Sequence, residues 1–260
     1  MSRVAVVTGA ARGVGAQVVR TLAEDDWKVV AVDVCADDPA LDYPLGTREQ
    51  LRELAAAWPG AVRDVVADVR EQDELRAAVE VAEREFGGVD AAVAAAAVMA
   101  GGRPLWETTD AELDALFDAG VRGVVNLARA AVPAMLRRPE PRSGRFVALA
   151  SAAGHTGLYH LAGYNAAKHA VVGLIRGLAN DLRGTGVNAT AVSPGSTRTD
   201  MLTATAGLYD LDDVDQFGPH QLLDRILEPE EVAAAVCWLC HERSSAVTGT
   251  VVHADGGFTA

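Results

Sequence analysis

The sequence contains few cysteines and few aromatic residues. Cysteines number three, and aromatic residues make up 5% of the 260 residues. A disulfide scaffold uses more cysteines, so a reducing cytoplasm is the expected compartment. Cys237 and Cys240 form a CxxC, but the sequence has no second CxxC to complete a zinc site. We therefore expect both thiols to pack on the apolar face of one helix, and we predict no bound metal.

Basic residues are outnumbered by acidic ones. Lys and Arg together number 23 against 36 Asp and Glu, which gives a formal net charge of −13. Nucleic acids and anionic membranes attract clustered Lys and Arg, so neither is an expected partner. The longest apolar run, residues 91–100, is too short to span a bilayer. The opening MSRVAVVTGA lacks a basic-then-apolar leader, which also favours a cytoplasmic protein.

Strand-like apolar runs alternate with helical patterns along the chain. VAVVTG, KVVAVD, RFVALAS and VNATAVSPG are continuous apolar runs, which indicate strands buried on both faces, as in a parallel sheet between helices. The repeated β–α–β order predicts an α/β protein with a doubly wound parallel sheet and helices on both faces. We expect residues 1–260 to form a single Rossmann-fold domain, with one helix around Ala111 to Met135.

Two segments interrupt this alternation. Residues 35–60 separate the second strand from the third and contain three prolines and one short helical stretch. Residues 199–227 are acidic and lie where a lid over a substrate site is expected. Long insertions in a compact domain are usually functional or mobile, and surface decoration is the alternative for each.

A glycine-rich turn follows the first strand. TGAARGVG, residues 8–15, stands between that strand and a helix. Glycines allow a sharp turn and a close approach to a pyrophosphate, and the helix N-terminus offers free amides and a positive dipole end. This strand–turn–helix context favours dinucleotide binding over a plain βα turn. The predicted cofactor-binding residues here are Gly9, Arg12, Gly13, Val14 and Gly15.

Asp33 ends the second strand, about 20 residues after this loop. A carboxylate at this position accepts hydrogen bonds from the adenosine ribose and repels a 2′-phosphate, which favours NAD over NADP. Arg12 argues the other way, because a basic residue in the loop attracts a 2′-phosphate. We give Asp33 the greater weight because of its place at the strand end. Asp68 and Val69, after the third strand, are predicted to hold the adenine, although Asp68 has a turn residue as its alternative role.

Tyr164 and Lys168 lie four residues apart in YNAAK and share one face of a predicted helix. A nearby ammonium lowers the pKa of a phenol, so the pair predicts a tyrosine that acts as general base or acid. YxxxK alone is also typical of an exposed helix face. Ser151 ends the strand RFVALAS at the edge where such sheets bind ligands, and its hydroxyl is expected to hold the substrate oxygen. We therefore predict Ser151, Tyr164 and Lys168 as the catalytic set.

The segment after the next strand carries further candidates. Pro194 and Gly195 end the strand VNATAVSPG, and Thr197 and Thr199 follow. Backbone and hydroxyl groups there are expected to fix the nicotinamide carboxamide and so select the hydride face. Tyr164 and Lys168 are also expected to contact the cofactor.

In this order, these residues resemble the short-chain dehydrogenase/reductase family. The resemblance covers nearly the whole chain: TGAARGVG, Asp33, Asp68-Val69, Ser151, YNAAK, SPGSTRT and the closing DGG. It implies a one-domain Rossmann fold, reversible hydride transfer between an alcohol and a carbonyl compound, and a homotetramer.

Two segments depart from the family pattern. Where the family has Asn-Asn-Ala-Gly after the fourth strand, this chain has residues 94–97, all alanine. Ala95 is expected to contact the cofactor through its backbone, while side-chain hydrogen bonds that brace the sheet are lost. Gly120 stands where the family has a catalytic asparagine, whose main-chain carbonyl supports a water-mediated proton path to Lys168. Glycine keeps that carbonyl, so we expect a weakened proton relay or a slow enzyme.

A narrower resemblance involves the insertion. DVCADDPALDYPLGT, WETTDAELDALFD and SPGSTRTDML resemble the mycofactocin-associated branch. That resemblance implies a nicotinamide covered by the insertion, not freely exchanging, and reoxidised by mycofactocin. The expected substrate is a secondary alcohol or ketone, such as a hydrophobic terpenoid. Two alternatives stay open: an ordinary NAD(P)H-dependent ketoreductase with exchangeable cofactor, and a catalytically weak dinucleotide-binding sensor or assembly protein, which Gly120 favours and the intact catalytic set opposes.

Overall fold

The apolar segments of the sequence form one parallel sheet. The structure, a computed structural model, describes residues 2–260. Valine and alanine dominate most of the strands, and helices cover both faces, so most strand side chains are buried. The strands are β1 (Val4–Thr8), β2 (Lys28–Asp33), β3 (Val62–Val66), β4 (Ala91–Ala94), β5 (Arg145–Leu149), β6 (Asn188–Pro194) and β7 (Val251–Ala254).

Residues 2–260 also form eight α-helices, and side chains cap several of them. Thr47 and Thr109 each accept a hydrogen bond from the amide three residues later, in a capping box that sets where the helix begins. The helices are α1 (Gly13–Glu24), α2 (Arg48–Ala56), α3 (Gln72–Phe86), α4 (Asp110–Phe117), α5 (Gly123–Leu136), α6 (Ala162–Asp181), α7 (Asp200–Leu208) and α8 (Pro229–Cys240).

The strand order is β3-β2-β1-β4-β5-β6-β7, and every neighbouring pair is parallel. One apolar cluster on each face joins the sheet to its helices. The predicted doubly wound Rossmann sheet is confirmed. The order reverses between β1 and β4, and such sheets bind ligands in the crevice at this reversal, beyond the carboxyl ends of the strands.

The prediction of a single helix around residues 111–135 is wrong, because the segment contains an irregular turn. A π-helical turn, Asp118–Arg122, separates α4 from α5. Gly120 lies at its centre, and the Gly123 amide bonds the carbonyl of Asp118, five residues earlier. Apolar spacing does not reveal one extra residue in a turn, because the helical faces before and after it are both buried.

The cysteines are all free thiols, and Cys237 and Cys240 are buried in α8. Burial raises the pKa of the Cys240 thiol to about 12, as expected for a residue that packs in a core. The prediction that this CxxC is a packing feature is therefore consistent with the structure. In the part of the chain that the structure describes, no helix is long and apolar enough to cross a membrane.

Candidate active site

A cleft of about 690 Å³ opens at the carboxyl ends of the strands, at the reversal between β1 and β4. Its wall includes residues from the glycine loop, the ends of five strands, the insertion 35–60 and the segment 199–227. Every predicted site residue lies on this wall. The predicted residues on its wall are Gly9, Arg12, Gly13, Val14, Gly15, Asp33, Asp68, Val69, Ala95, Ser151, Tyr164, Lys168, Pro194, Gly195, Thr197 and Thr199.

The glycine loop requires glycine for both conformation and space. Gly9 and Gly13 have φ values of +67° and +57°, in the left-handed region. A Cβ on Gly9 would lie 2.7 Å from the backbone of Ala96, and one on Gly15 would clash with the Gly9 carbonyl. Within residues 2–260, no side chain caps the N-terminus of α1. The loop therefore leaves a bare backbone cradle and free helix amides, a donor set that fits a pyrophosphate.

Asp33 lies at the bottom of the cleft beside this cradle. One carboxylate oxygen accepts from the Ala11 amide (3.0 Å) and the other from the Cys35 amide (3.1 Å). These bonds hold the side chain in place, and each carboxylate oxygen has a lone pair left for a ribose hydroxyl. Arg12 is the loop residue that would favour NADP. It forms an ion pair with Asp200 at 2.9 Å. Its charge is therefore partly neutralised by the first residue of α7.

Asp68 is held by an arginine that the sequence analysis did not single out. Arg70 bonds both Asp68 and Asp38, at 2.7 and 2.8 Å. Asp38 belongs to the insertion, so Arg70 ties the insertion to the end of β3. Val69 is buried and packs against Gly123, where a Cβ would lie 2.8 Å from a Val69 methyl group. The adenine contacts of Asp68 and Val69 stay predictions.

The alanine stretch after β4 is braced after all. The alanine side chains make no hydrogen bonds, as expected, but the Thr8 hydroxyl of β1 bonds the backbone of this stretch. Its hydroxyl oxygen accepts from the amides of Ala95 and Ala96 (3.2 and 3.3 Å), and the hydroxyl lies 3.4 Å from the carbonyl of Val93. Thr8 is 1% exposed. The backbone of Ala95 is thereby fixed at the cleft wall without asparagine.

Ser151, Tyr164 and Lys168 meet on the floor of the cleft. Ser151 follows β5 and accepts a hydrogen bond from the Ala153 amide at 3.2 Å. Tyr164 has Ser151 as its side-chain hydrogen-bond partner. The Nζ atom of Lys168 lies 5.6 Å from the centre of the Tyr164 ring and donates to the Leu149 carbonyl at 3.0 Å. Helix α6 places Tyr164 and Lys168 one turn apart, and the end of β5 faces them with Ser151.

The expected lowering of the Tyr164 pKa is wrong. Burial raises the pKa of Tyr164 to about 12, and a hydrogen bond with Ser151 opposes this shift only in part. Burial also lowers the pKa of Lys168 to about 8. The physical reason is that both groups leave water, while the ammonium points to the Leu149 carbonyl and not to the phenol oxygen. The four-residue spacing predicted that Tyr164 and Lys168 are neighbours, but it did not reveal that both side chains are buried away from water.

The segment after β6 forms the opposite wall. The Thr197 hydroxyl donates to the Gly195 carbonyl at 3.1 Å, and Thr197 bridges to Leu227 at the far end of segment 199–227. Thr199 caps α7 by accepting from the Leu202 amide at 3.2 Å. A Cβ on Gly13 would touch the Thr199 methyl group at 3.4 Å. The glycine loop and α7 therefore lie against each other across the cleft.

The insertion 35–60 covers part of the cleft. Tyr43, which the sequence analysis overlooked, accepts a hydrogen bond from the Met99 amide at 2.9 Å. Its ring lies 6.0 Å from the Arg12 guanidinium, and burial raises its pKa. Leu41 and Leu45 pack with Tyr164 in one apolar cluster. Only the folded chain brings these residues near Tyr164, because their local sequence pattern does not indicate a contact with it.

Comparisons of the sequence and of the structure with known proteins identify the family. The model for a family of short-chain alcohol dehydrogenases, described as enoyl-(acyl carrier protein) reductase, matches residues 9–259. The chain is a short-chain dehydrogenase/reductase. It is 34% identical over 264 residues to an uncharacterized NAD-dependent oxidoreductase of Mycobacterium tuberculosis, a match that covers 98% of this chain and 95% of the relative.

Two further proteins match this chain over nearly their whole length. The cis-4-hydroxycyclohexanecarboxylate dehydrogenase of Sinomonas cyclohexanicum is 34% identical over 262 residues, covering 99% of this chain and 97% of that protein. The structure of carveol dehydrogenase from Mycobacterium avium in complex with NAD superposes with a TM-score of 0.92 at 29% identity, covering 98% and 97% of the two chains. The predicted family, fold and enzyme class, a short-chain oxidoreductase, are confirmed.

Proposed function

We propose that this protein is an NAD-dependent dehydrogenase that transfers a hydride between a secondary alcohol or its ketone and the cofactor. The observation that carries the proposal is the meeting of Ser151, Tyr164 and Lys168 on the floor of a cleft that begins at the glycine loop. An assay of cyclic secondary alcohols, with free NAD and separately with an artificial electron acceptor, tests it. No oxidation of any alcohol under either condition would contradict the proposal and favour a dinucleotide-binding sensor.

The cleft fits an NAD molecule along its length. The bare cradle of Gly9, Gly13 and Gly15 suits the pyrophosphate, and Asp33 suits the adenosine ribose. We assign Lys168 to the nicotinamide ribose and the segment from Pro194 to Thr199 to the carboxamide, since both line the cleft. Relatives that are NAD-dependent or solved with NAD support this choice of cofactor. When bound, the nicotinamide supplies the hydride acceptor or donor.

Asp33→Asn is expected to shift cofactor preference toward NADP by about 10-fold, the size of one charge interaction near a protein surface. The amide keeps an acceptor for the Ala11 amide but removes the negative charge that repels a 2′-phosphate. Dissociation constants for NAD and NADP, measured on each variant after removal of bound nucleotide, give the ratio. Asp64→Asn, which removes a charge from β3 outside the cleft wall, is the control, and an unchanged ratio in Asp33→Asn would exclude ribose selection by Asp33.

The roles of the catalytic set follow from their positions. Ser151 donates a hydrogen bond to the substrate oxygen, and Tyr164 Oη exchanges the proton with that oxygen. The raised pKa keeps the phenol protonated at neutral pH, which is the form that donates to a ketone. In the reverse direction Tyr164 Oη takes the alcohol proton as a phenolate, and the positive charge of an oxidised nicotinamide, when bound, would favour that form.

Gly120→Asn is expected to raise the turnover number several-fold. Apart from its two neighbours and the backbone of its own helix, no described atom lies within 4 Å of a Cβ built at Gly120, so a Cβ fits there without a clash. Steady-state kinetics measure the change. Gly120→Ala is the matched control and should gain up to about 1 kcal/mol of stability from helix propensity without faster turnover. If both variants turn over alike, an amide at this position does not assist proton transfer here.

Apolar and aromatic side chains form the part of the cleft beyond Tyr164. Most of them belong to segment 199–227, which we propose is the substrate lid, with α7 and the 3-10 turn Val214–His220 as its two arms. Such a wall suits a bulky hydrophobic alcohol, and the dehydrogenases of carveol and of a hydroxycyclohexane acid support a cyclic one. The side chains concerned are Leu158, Tyr159, Met201, Leu202, Tyr209, Leu211, Phe217 and Phe258.

We also propose that NAD stays bound through many turnovers and is reoxidised by mycofactocin. The resemblance of the insertion to the mycofactocin-associated branch motivates this, and the insertion's bonds to the body of the protein support it. Arg70 holds Asp38, the Met99 amide holds Tyr43, and Arg12 holds the start of α7. These contacts lie around the cleft and must open before a dinucleotide leaves.

We propose a homotetramer, as is common in this family. Exposed aromatic side chains support the presence of subunit interfaces: Trp106 is 83% exposed and Trp238 44% exposed. Burying such side chains between subunits is favourable by about 1.5–3 kcal/mol each. Sedimentation velocity is expected to give a particle of four chains, and a monomer at micromolar concentration would contradict this assembly.

A further inference from the structure

Hydrogen bonds behind the cleft join Ser151 to a buried serine and a histidine. The Ser193 hydroxyl lies 2.9 Å from the Ser151 carbonyl, to which it donates, and 2.8 Å from Nε2 of His155. Ser193 is 0% exposed, and neither it nor His155 is among the described residues that line the cleft. Because the single hydroxyl proton of Ser193 goes to Ser151, His155 must be the donor, as its Nε2–H form.

These two bonds hold both ends of the turn that carries Ser151. The 3-10 turn Ala152–Gly154 begins directly after Ser151 and ends directly before His155. Within the turn, the Ser151 carbonyl also accepts the Gly154 amide at 2.8 Å, so Ser193 supplies its second hydrogen bond. Both ends of the turn are therefore attached to one hydroxyl on β6.

The other side of the same turn packs on helix α6. A Cβ on Gly154 would lie only 2.9 Å from the carbonyl oxygen of Lys168. The turn is thus fixed between α6, which carries Tyr164 and Lys168, and β6, which carries Ser193. A shift of the turn away from β6 would move the Ser151 hydroxyl relative to Tyr164.

Strand β7 covers His155 from outside. Its ring lies 4.5 Å from the ring of His253, and His253 is paired in register with Ser193 between β6 and β7. His253 in turn lies 3.0 Å from the Thr259 hydroxyl, which donates to Asp255. Burial, with the charges of His253, His169 and Arg176, lowers the pKa of His155, while Asp255 opposes the shift. His155 is therefore neutral near pH 7 and able to keep one tautomer.

We propose that Ser193 and His155 are positioning residues that set the direction of the Ser151 hydroxyl in the proposed hydride transfer. The inference rests on the proposed function of Ser151 beside Tyr164. A main-chain carbonyl accepts a hydrogen bond but does not pass a proton on, so the two residues act on geometry and lie outside the proton path. Small displacements of a reacting group are costly, which makes a remote hydrogen bond visible in turnover.

Ser193→Ala and His155→Leu are each expected to lower kcat about 10-fold, with KM for the alcohol and the dissociation constant for NAD changed less than twofold. The double variant should be no slower than either single variant, because both act through one hydroxyl. His155→Gln, whose amide N–H reaches the same place, should recover most of the turnover. Thr190→Val is the matched control: it removes another buried β6 hydroxyl, 3.3 Å from the Val247 carbonyl, and should leave kcat unchanged.

A second measurement does not depend on activity. In 15N-histidine NMR spectra, His155 is expected to show the Nε2–H tautomer near pH 7, and Ser193→Ala should shift this resonance. If Ser193→Ala turns over like Thr190→Val while Tyr164→Phe is inactive, the positioning role is wrong and the proposed function stands. If Tyr164→Phe keeps full activity, the proposed proton exchange by Tyr164 beside Ser151 fails, and the proposed function fails only if the unaltered protein oxidises no alcohol. If Ser193→Ala does not fold, the kcat values of His155→Leu and His155→Gln decide whether the positioning role is correct.

Discussion

Tyr164→Phe is expected to lower kcat for alcohol oxidation and ketone reduction by about 10³-fold, within the range that a positioned general acid or base contributes. Phenylalanine keeps the ring that packs in one cluster with Leu41 and Leu45 but removes the phenol oxygen, which we propose exchanges a proton with the substrate oxygen beside Ser151. Single-turnover hydride transfer, followed by nicotinamide absorbance, measures the loss without interference from product release.

NAD binding by the Tyr164→Phe variant is the control measurement, because it shows whether the cofactor site is intact. The dissociation constant for NAD should change less than threefold (under about 0.7 kcal/mol), because the phenol supplies at most one of many expected contacts with the cofactor. Thermal unfolding should stay close to that of the unaltered protein. A Tyr164→Phe variant with normal turnover on every alcohol in the panel would refute the catalytic role of Tyr164, whereas no turnover by the unaltered protein on any alcohol would leave the sensor alternative.

Protein purified without added nucleotide is expected to release close to one NAD per chain when it is denatured. The bonds from Tyr43, Asp38 and Arg12 around the cleft oppose opening of the insertion and of α7. Tyr43→Ala removes a half-buried ring and its hydrogen bond, together about 3 kcal/mol, and should speed NAD release about 100-fold. Tyr43→Phe keeps the ring and should speed release only about 5-fold.

Release is measured by exchange of bound NAD for labelled NAD in the folded protein. The same experiment separates the two enzyme hypotheses. Retained nucleotide with turnover through an artificial acceptor supports the mycofactocin-coupled enzyme. Purification without nucleotide, together with rapid turnover on free NAD, would contradict retention and support an ordinary exchanging reductase. The exchange rates of the two Tyr43 variants then show whether the insertion controls release.

The strand and helix pattern could be predicted from sequence because it is local. Buried parallel strands are continuous apolar runs, and the helices between them have regular apolar spacing, so the β–α–β order follows directly from the chain. The glycine loop was predictable for the same reason, since positive φ at Gly9 and Gly13 favours one residue type. The π-helical turn at Gly120 was not, because a one-residue irregularity leaves both flanking faces apolar.

By itself, the sequence determined the fold class and the family, because these depend on the strand–helix order and on motifs within strand–turn–helix units. The dinucleotide cradle and the catalytic set of Ser151, Tyr164 and Lys168 are predictions from the same local motifs. The tertiary structure decided the rest. The pKa directions of Tyr164 and Lys168 depend on how much water the surrounding elements exclude. The bracing by Thr8, the cover by Tyr43 and the bond from Ser193 to Ser151 join residues distant in the chain. Such contacts leave no local pattern, since they form only when separate strands and loops are brought together by burial of the sheet.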